Sequence, residues 1–368
     1  MKKSILSTLA LAALLFVSCN EEETISNDLV EFSGGSTLTG IITENVILDA
    51  SVDYELPAQL VIAQGGQLTI PAGTTISATG GTSSYIAVSR GGQIYVNGES
   101  GNPVVMTSGE ETPAAGDWGG LVICGNAPSN LGDDVLSEVG NLTYGGDDTE
   151  DNSGSITHLR IEYTGALFNA SKEFNGVSFF GVGSGTTVNN ILAYESGDDG
   201  IEFFGGTVNA ENIAVINAYD DSVDAADGFS GTVENIYIYG VTKAGLEVSN
   251  NGDDESRTPE TNSTFNNITV VKAEGFSGSE FVVNYKEGGG SQTYTNLVFS
   301  GFDTFAKFSS DDTTAANVAA DKFVVNSYYT DGTELSDAEG ILEGLTNDNT
   351  LTGAGNGLLE PTWVADLK

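Results

Sequence analysis

The chain has 368 residues, with 52 Asp and Glu against 12 Lys and Arg, giving a formal net charge of −40. So acidic a surface excludes nucleic acid and anionic lipid as partners, because phosphate binding needs clustered Lys and Arg. At 39% hydrophobic residues the chain also has too much apolar surface to remain disordered.

The N-terminus is read first as an address. Met1-Lys2-Lys3 is a short positive segment, followed by an apolar run at 5–17 broken only by Ser7 and Thr8. That run is too short to span a bilayer as a helix and fits a signal peptide over 1–18. It ends in Phe16-Val17-Ser18-Cys19, which resembles the lipobox of bacterial lipoproteins and implies lipidation of Cys19. Acyl chains contribute about 0.8 kcal/mol per buried CH2, so more than one chain gives lasting attachment. Asn20-Glu21-Glu22-Glu23 opens an acidic tether over 19–36 and resembles the export signal of surface lipoproteins in Bacteroidota. The expected location is the outer membrane, facing the exterior. Without Lys2 and Lys3 the charge becomes −42. The other cysteine, Cys124, lies in the apolar run Leu121-Val122-Ile123-Cys124 and reads as a small buried hydrophobe.

Residues 37–368 read as one all-β domain. Runs of four to six β-branched or aromatic residues recur between Gly, Asn and Asp clusters, and helical periodicity is nearly absent. A tetrad of form x-x-Asn-(Ile/Leu) opens a strand at Asn190, Asn212, Asn235, Asn267 and Asn296, with His158 in the same place earlier. The intervals are 32, 22, 23, 32 and 29 residues. A basic coil of about 22 with inserted loops predicts a right-handed parallel β-helix. Aligned on the asparagine, Ile191, Ile213, Ile236, Ile268 and Leu297 point inward. Eleven residues on, Ile201, Val223 and Leu246 stack, then Phe203, Ala225 and Val248. The asparagines, and His158 with them, are expected to form a structural ladder. Near the C-terminus Ser336-Asp337-Ala338-Glu339 is a capping-box signal before Ile341, Leu342 and Leu345, predicting a short helix over the open end.

The N-terminal coils carry a resemblance. Residues 60–74 and 85–95 share an apolar strand, a Gly-Gly turn and a second strand. With Gly116-Asp117-Trp118-Gly119-Gly120-Leu121, Asn126-Ala127-Pro128, Tyr144-Gly145-Gly146, Ile161-Glu162-Tyr163 and Asp198-Asp199-Gly200, they resemble uncharacterised β-helix proteins of Bacteroidota.

The outward columns carry the candidate chemistry. The alignment stacks Asp198 on Asp220 and Lys243, Asp199 on Asp221, and Glu202 on Asp224 and Glu247. Carboxylates one coil apart, about 4.8 Å, repel by roughly 3.5 kcal/mol at an effective dielectric of 20. A solvated acidic face, a Ca2+ site and a glycan or catalytic cleft all stay open, with Ca2+ the cofactor such oxygen donors suit. Gly197-Asp198-Asp199-Gly200-Ile201 resembles the Asp-Asp segment of polygalacturonase-type hydrolases, which implies paired carboxyls as acid and base. The Gly-His-Gly and Arg-x-Lys motifs of those enzymes are missing, which weighs against an enzyme. A lyase would need Lys243 as base, beside aspartates that hold its proton. Tyr194, Tyr237 and Tyr239 are candidate sugar-stacking rings on successive coils. The expected function is a surface β-helix that binds a glycan or a surface protein, with a lyase or hydrolase of acidic polysaccharide as the alternative.

Overall fold

The computed structural model describes residues 32, 34–273, 280–331 and 340–368. Each coil contributes one short strand to a ten-stranded parallel sheet, sheet A, whose order follows the chain. Its strands are Gly40–Ile42, Leu60–Ile62, Ile86–Val88, Leu121–Cys124, Val177–Phe180, Ile201–Phe204, Val223–Ala226, Ala244–Ser249, Phe281–Lys286 and Ala306–Phe308. Sheet B, also parallel, forms the rest of the wall. Parallel pairing of every coil with the next is the right-handed β-helix that the repeat predicts, and the register agrees. Ile201 pairs with Val223 and Val223 with Leu246, while Ile191, Ile213, Ile236, Ile268 and Leu297 pair in sequence.

The asparagines mark a corner. In the early coils the two halves of sheet B are separate strands, such as Gln93–Asn97 and Val104–Ser108, both paired to Gly154–Glu162. From that strand onward the halves are continuous and bend at one residue of positive φ. These are His158, Asn190, Asn212, Asn235, Asn267 and Asn296, at φ 51–58°. Asparagine tolerates this left-handed conformation better than any β-branched residue. Its side chain then bonds the coil below: Asn212, Asn235, Asn267 and Asn296 donate in turn to Asn189, Asn212, Asn235 and Asn267, at 2.9–3.1 Å. The expected ladder therefore runs through four corners. At Asn190 the amide bonds Asn189 instead.

The interior is closed by side chains from all walls. Phe179, Phe203 and Phe229 stack at ring distances of 5.1 and 4.6 Å. The long repeat intervals hold surface insertions: the hairpin Leu167–Asn169/Lys172–Glu173, and the loop 250–261. A further insertion at 125–153 lays Val139, Leu142 and Tyr144 over the outward face of sheet A, against Cys124, Phe180 and Phe204. Cys124 is buried there as expected.

The capping box at 336–339 lies outside the described residues. Just after it, Ile341, Leu342 and Leu345 pack on the core from turns, and helix α1 (Asp312–Ala319) stands over the last coils with Asp311 as its N-cap. The chain then doubles back. Residues 346–368, ending in helix α2 (Thr362–Ala365), run along sheet B toward the early coils. Cys19 and the tether up to residue 31 also lie outside the described residues.

Candidate functional site

The strand register assembles a carboxyl cluster on the outward face of sheet A. Ser178, Glu202, Asp224, Glu247 and Asn284 form one column along five coils. In the turn before each strand, Asp199 stacks under Asp221, and Asp198 under Asp220. These turn residues carry backbone: Asn175 Oδ1 accepts Asp199 N at 3.2 Å, Asp199 Oδ1 accepts Asp221 N at 2.8 Å, and Asp221 Oδ1 accepts Ala244 N at 2.7 Å. All seven acidic residues expected from the sequence come together: Asp198, Asp199, Glu202, Asp220, Asp221, Asp224 and Glu247.

Depth separates them into two layers. Asp199, Glu202, Asp221, Asp224 and Glu247 are only 4–8% exposed, whereas Asp198 and Asp220 lie at the open edge. One carboxylate oxygen from each of Asp198, Asp199 and Asp220 falls within 4.8 Å of the others, and so does a second set from Asp199, Glu202 and Asp224. Lys243 pairs with Asp220 at the edge, and Lys286 pairs with Glu247 below.

Burial and mutual repulsion decide which groups keep protons. Asp198 is pushed up to about 7, first by burial and then by the charges of Asp220, Glu173 and Glu138, with Lys243 opposing. Asp221 is pushed up to about 10 by burial and by Glu247 and Asp224. Burial likewise raises Asp199, Glu202 and Asp224 well above the carboxylate range, helped respectively by Asp221, Asp224 and Glu247. Glu247 goes the other way. Burial pushes it up, but the Lys286 ammonium and hydrogen bonds from Asp221, Lys286 and Asn284 hold it below its ordinary value. Lys243 loses some basicity to burial, yet Asp220, Asp221 and Asp198 hold its proton more tightly than usual. The cluster is thus a graded set: Asp198 at the edge with its midpoint near 7, more strongly raised acids beneath it, and two lysine-paired members, Asp220 and Glu247.

Four contributors were not read from the sequence. Asn175 donates to Glu202 at 2.6 Å, and Asn284 donates to Glu247 at 2.5 Å. Asn175 and Asn284, like Lys286, belong to coils whose register is hidden by insertions. Tyr219 precedes Asp220 and is 67% exposed, in a turn outside the tyrosine-bearing strands of the other wall.

The tyrosines chosen there need correction. Tyr194 and Tyr239 share a column with Ile216 between them, so they are not on successive coils, and Tyr237 occupies the neighbouring column. Tyr237 is 4% exposed beneath the returning C-terminal segment, packed with Ala354, Val364 and Leu367. Its ring is not offered to a ligand. Tyr194 meets Tyr163 edge-on at 5.8 Å and is half-buried; Tyr239 is 38% exposed. The cover over Tyr237 comes from the chain's own end.

A family model for a pectate-lyase-like β-helix domain matches residues 40–368. Endopolygalacturonase II and a probable endopolygalacturonase II, from two strains of Aspergillus niger, are each 27% identical over 250 residues. The match covers 65% of this chain and 64% of each relative, so the chain spans just under two thirds of the curated relatives it matches. No solved structure matches the chain.

Proposed function

The chain belongs to the pectate-lyase-like β-helix domain family, and we propose that its carboxyl-lined face hydrolyses glycosidic bonds in a polysaccharide. The observation that carries this is the edge pair: Asp198, which keeps its proton to about 7, beside the Asp220 carboxylate on the next coil. Glycoside hydrolysis needs those two roles, an acid that protonates the departing oxygen and a carboxylate on the sugar side. Asp198 would supply the proton at neutral pH. Asp220, oriented by Lys243, would assist water or the oxocarbenium-like centre. Burial, with the charges of Asp220, Glu173 and Glu138 beside it, keeps Asp198 protonated. A lyase is disfavoured, because among the described residues Lys243 is the lysine paired to the edge carboxylates, and it holds its proton. The polygalacturonase names of the distant relatives support hydrolysis as the reaction class.

The test is reducing-end release from a panel of acidic and neutral polysaccharides at pH 7. Turnover should fall by about 10^2–10^4 in Asp198→Asn and in Asp220→Asn, with the fold intact. No new reducing ends on any polymer, or full activity in both variants, would refute the proposal.

One observation favours a second role for the deeper layer. Asp224 Oδ1 is buried and accepts no hydrogen bond, within a set of carboxylate oxygens close enough to share one ion. All-oxygen donors of this charge suit Ca2+, which Asp199, Glu202 and Asp224 would hold, making the coils stiffer. Thermal stabilisation by Ca2+, abolished in Asp224→Asn and accompanied by no turnover, would favour a binding protein over a hydrolase. In either case we place the protein on the outer membrane, anchored through Cys19 and displayed by the acidic tether.

A further inference from the structure

We propose that the depression beside Asp198 and Asp220, walled by Tyr219 and Leu167, is a subsite for an uncharged sugar ring of a neutral polysaccharide. It rests on the hydrolase reading and adds the substrate class. The depression holds about 340 Å3 and is floored by Gly116, Gly165 and Gly197. These glycines stack across coils without side chains. A Cβ on Gly165, at φ +85°, would lie 2.3 Å from Gly197 N, so neither a longer residue nor a different floor fits there. Tyr219 sits one coil along from that floor, its N–H donating to Ser196 O at 2.9 Å. Its ring is 67% exposed, and Leu167 on the facing hairpin is 56% exposed. Two large apolar groups left in water around a smooth floor, one residue from the edge carboxyls, match a sugar: C–H faces meet the ring, and hydroxyls donate to carboxylates.

Charge selects the polymer. Among the described residues the lysines nearest the depression are committed, Lys172 to Glu138, Lys243 to Asp220 and Lys286 to Glu247, and Lys307, in the same column as Glu247, lies three coils beyond Asp220 over the Phe281 ring. Among the described residues a uronate would meet no unpaired cation beside the depression and would face Asp198, Asp220, Glu138 and Glu173, which already crowd one another. The neutral class departs from the acidic polysaccharide of the alternative, enzymatic reading of the sequence.

The test compares binding of cellohexaose, xylohexaose, mannohexaose and hexagalacturonate by calorimetry, in buffer with EDTA. At least one neutral hexasaccharide should bind and hexagalacturonate should not. Tyr219→Ala should weaken that binding about tenfold and Tyr219→Phe should retain it. The exposed ring can be removed without unfolding, which circular dichroism checks. Neutral binding that depends on Tyr219 without any turnover would sustain the subsite and sink the hydrolase. Turnover with an unchanged KM in Tyr219→Ala would sustain the hydrolase and overturn the subsite. Equal binding of hexagalacturonate, or no neutral ligand at all, would overturn it too.

Discussion

A single asparagine per coil shows how the fold is specified residue by residue. Asn235 holds φ at 56°, donates to Asn212 and accepts from Asn267. Asn235→Ala loses two hydrogen bonds worth about 1 kcal/mol each and adds about 1 kcal/mol of left-handed strain. Denaturant unfolding should show a loss of about 2–3 kcal/mol, and Asn235→Gly a smaller one, since glycine relieves the strain. This corner was legible in the sequence because every coil must turn there and few residues can. The acidic columns were legible for the same reason: once the corner sets the register, all other offsets follow. What the columns do was less legible. Asp199 and Asp221 look like ligands in a sequence, yet their oxygens also bind backbone N–H groups of the following coil. Asp199→Ala should therefore destabilise the fold as well as alter the site, which makes the edge residues Asp198 and Asp220 the cleaner probes.

Elements that do not repeat escaped the sequence reading. The segment 346–368 has no counterpart in the coils, so its path could not be deduced from register. In the structure it caps the asparagine ladder, where Thr352 and Gly353 N–H groups donate to Asn296 Oδ1 at 3.2 and 3.1 Å. Its far end reaches the early coils, where Gly101 N–H donates to Asp366 O at 2.9 Å. Val364 and Leu367 are fully buried between these points. Leu367→Ala should cost about 2–5 kcal/mol, as buried leucines do, and should raise solvent access to Tyr237. Hydrogen exchange at Ala354 and Gly101 reads both ends of the strap; loss of protection at only one end would show that it does not act as a unit. The insertion at 125–153 was equally unreadable, because its apolar residues cover the outside of the sheet and follow no coil period.

At the scale of the whole molecule, charge governs stability. Asp198 and Asp221 bind protons more tightly folded than the ordinary carboxyl near 4 of an unfolded chain. Between the unfolded and folded values the folded chain carries more protons, so stability falls as pH rises. The loss runs from about 4 to about 7 for Asp198 and continues to about 10 for Asp221. Glu247 acts in the opposite sense, its contribution disappearing as pH falls through its depressed value. Four further carboxyls, Asp199, Glu202, Asp224 and Asp227, are raised strongly with Asp198 and Asp221, against smaller depressions at Asp49, Asp254, Asp311 and Asp348, so the first trend wins. The melting temperature should be higher at pH 5 than at pH 8, and Asp221→Asn should narrow the gap. The charge of −40 reinforces the direction through self-repulsion. The proposed anchor is tested at this scale as well: Cys19→Ala should move the protein from the membrane fraction to the soluble one.

Crowded carboxyls that hold protons up to neutral pH and beyond are the centre of the proposed site, and carbon-13 titration of the aspartate side chains measures this directly. Asp198 should cross its midpoint near 7, and Asp221 should hold its proton until about 10. If every aspartate of the cluster, assigned by single Asp→Asn variants, ionises below about 5, the face is an ordinary solvated one and the acid–base assignment fails.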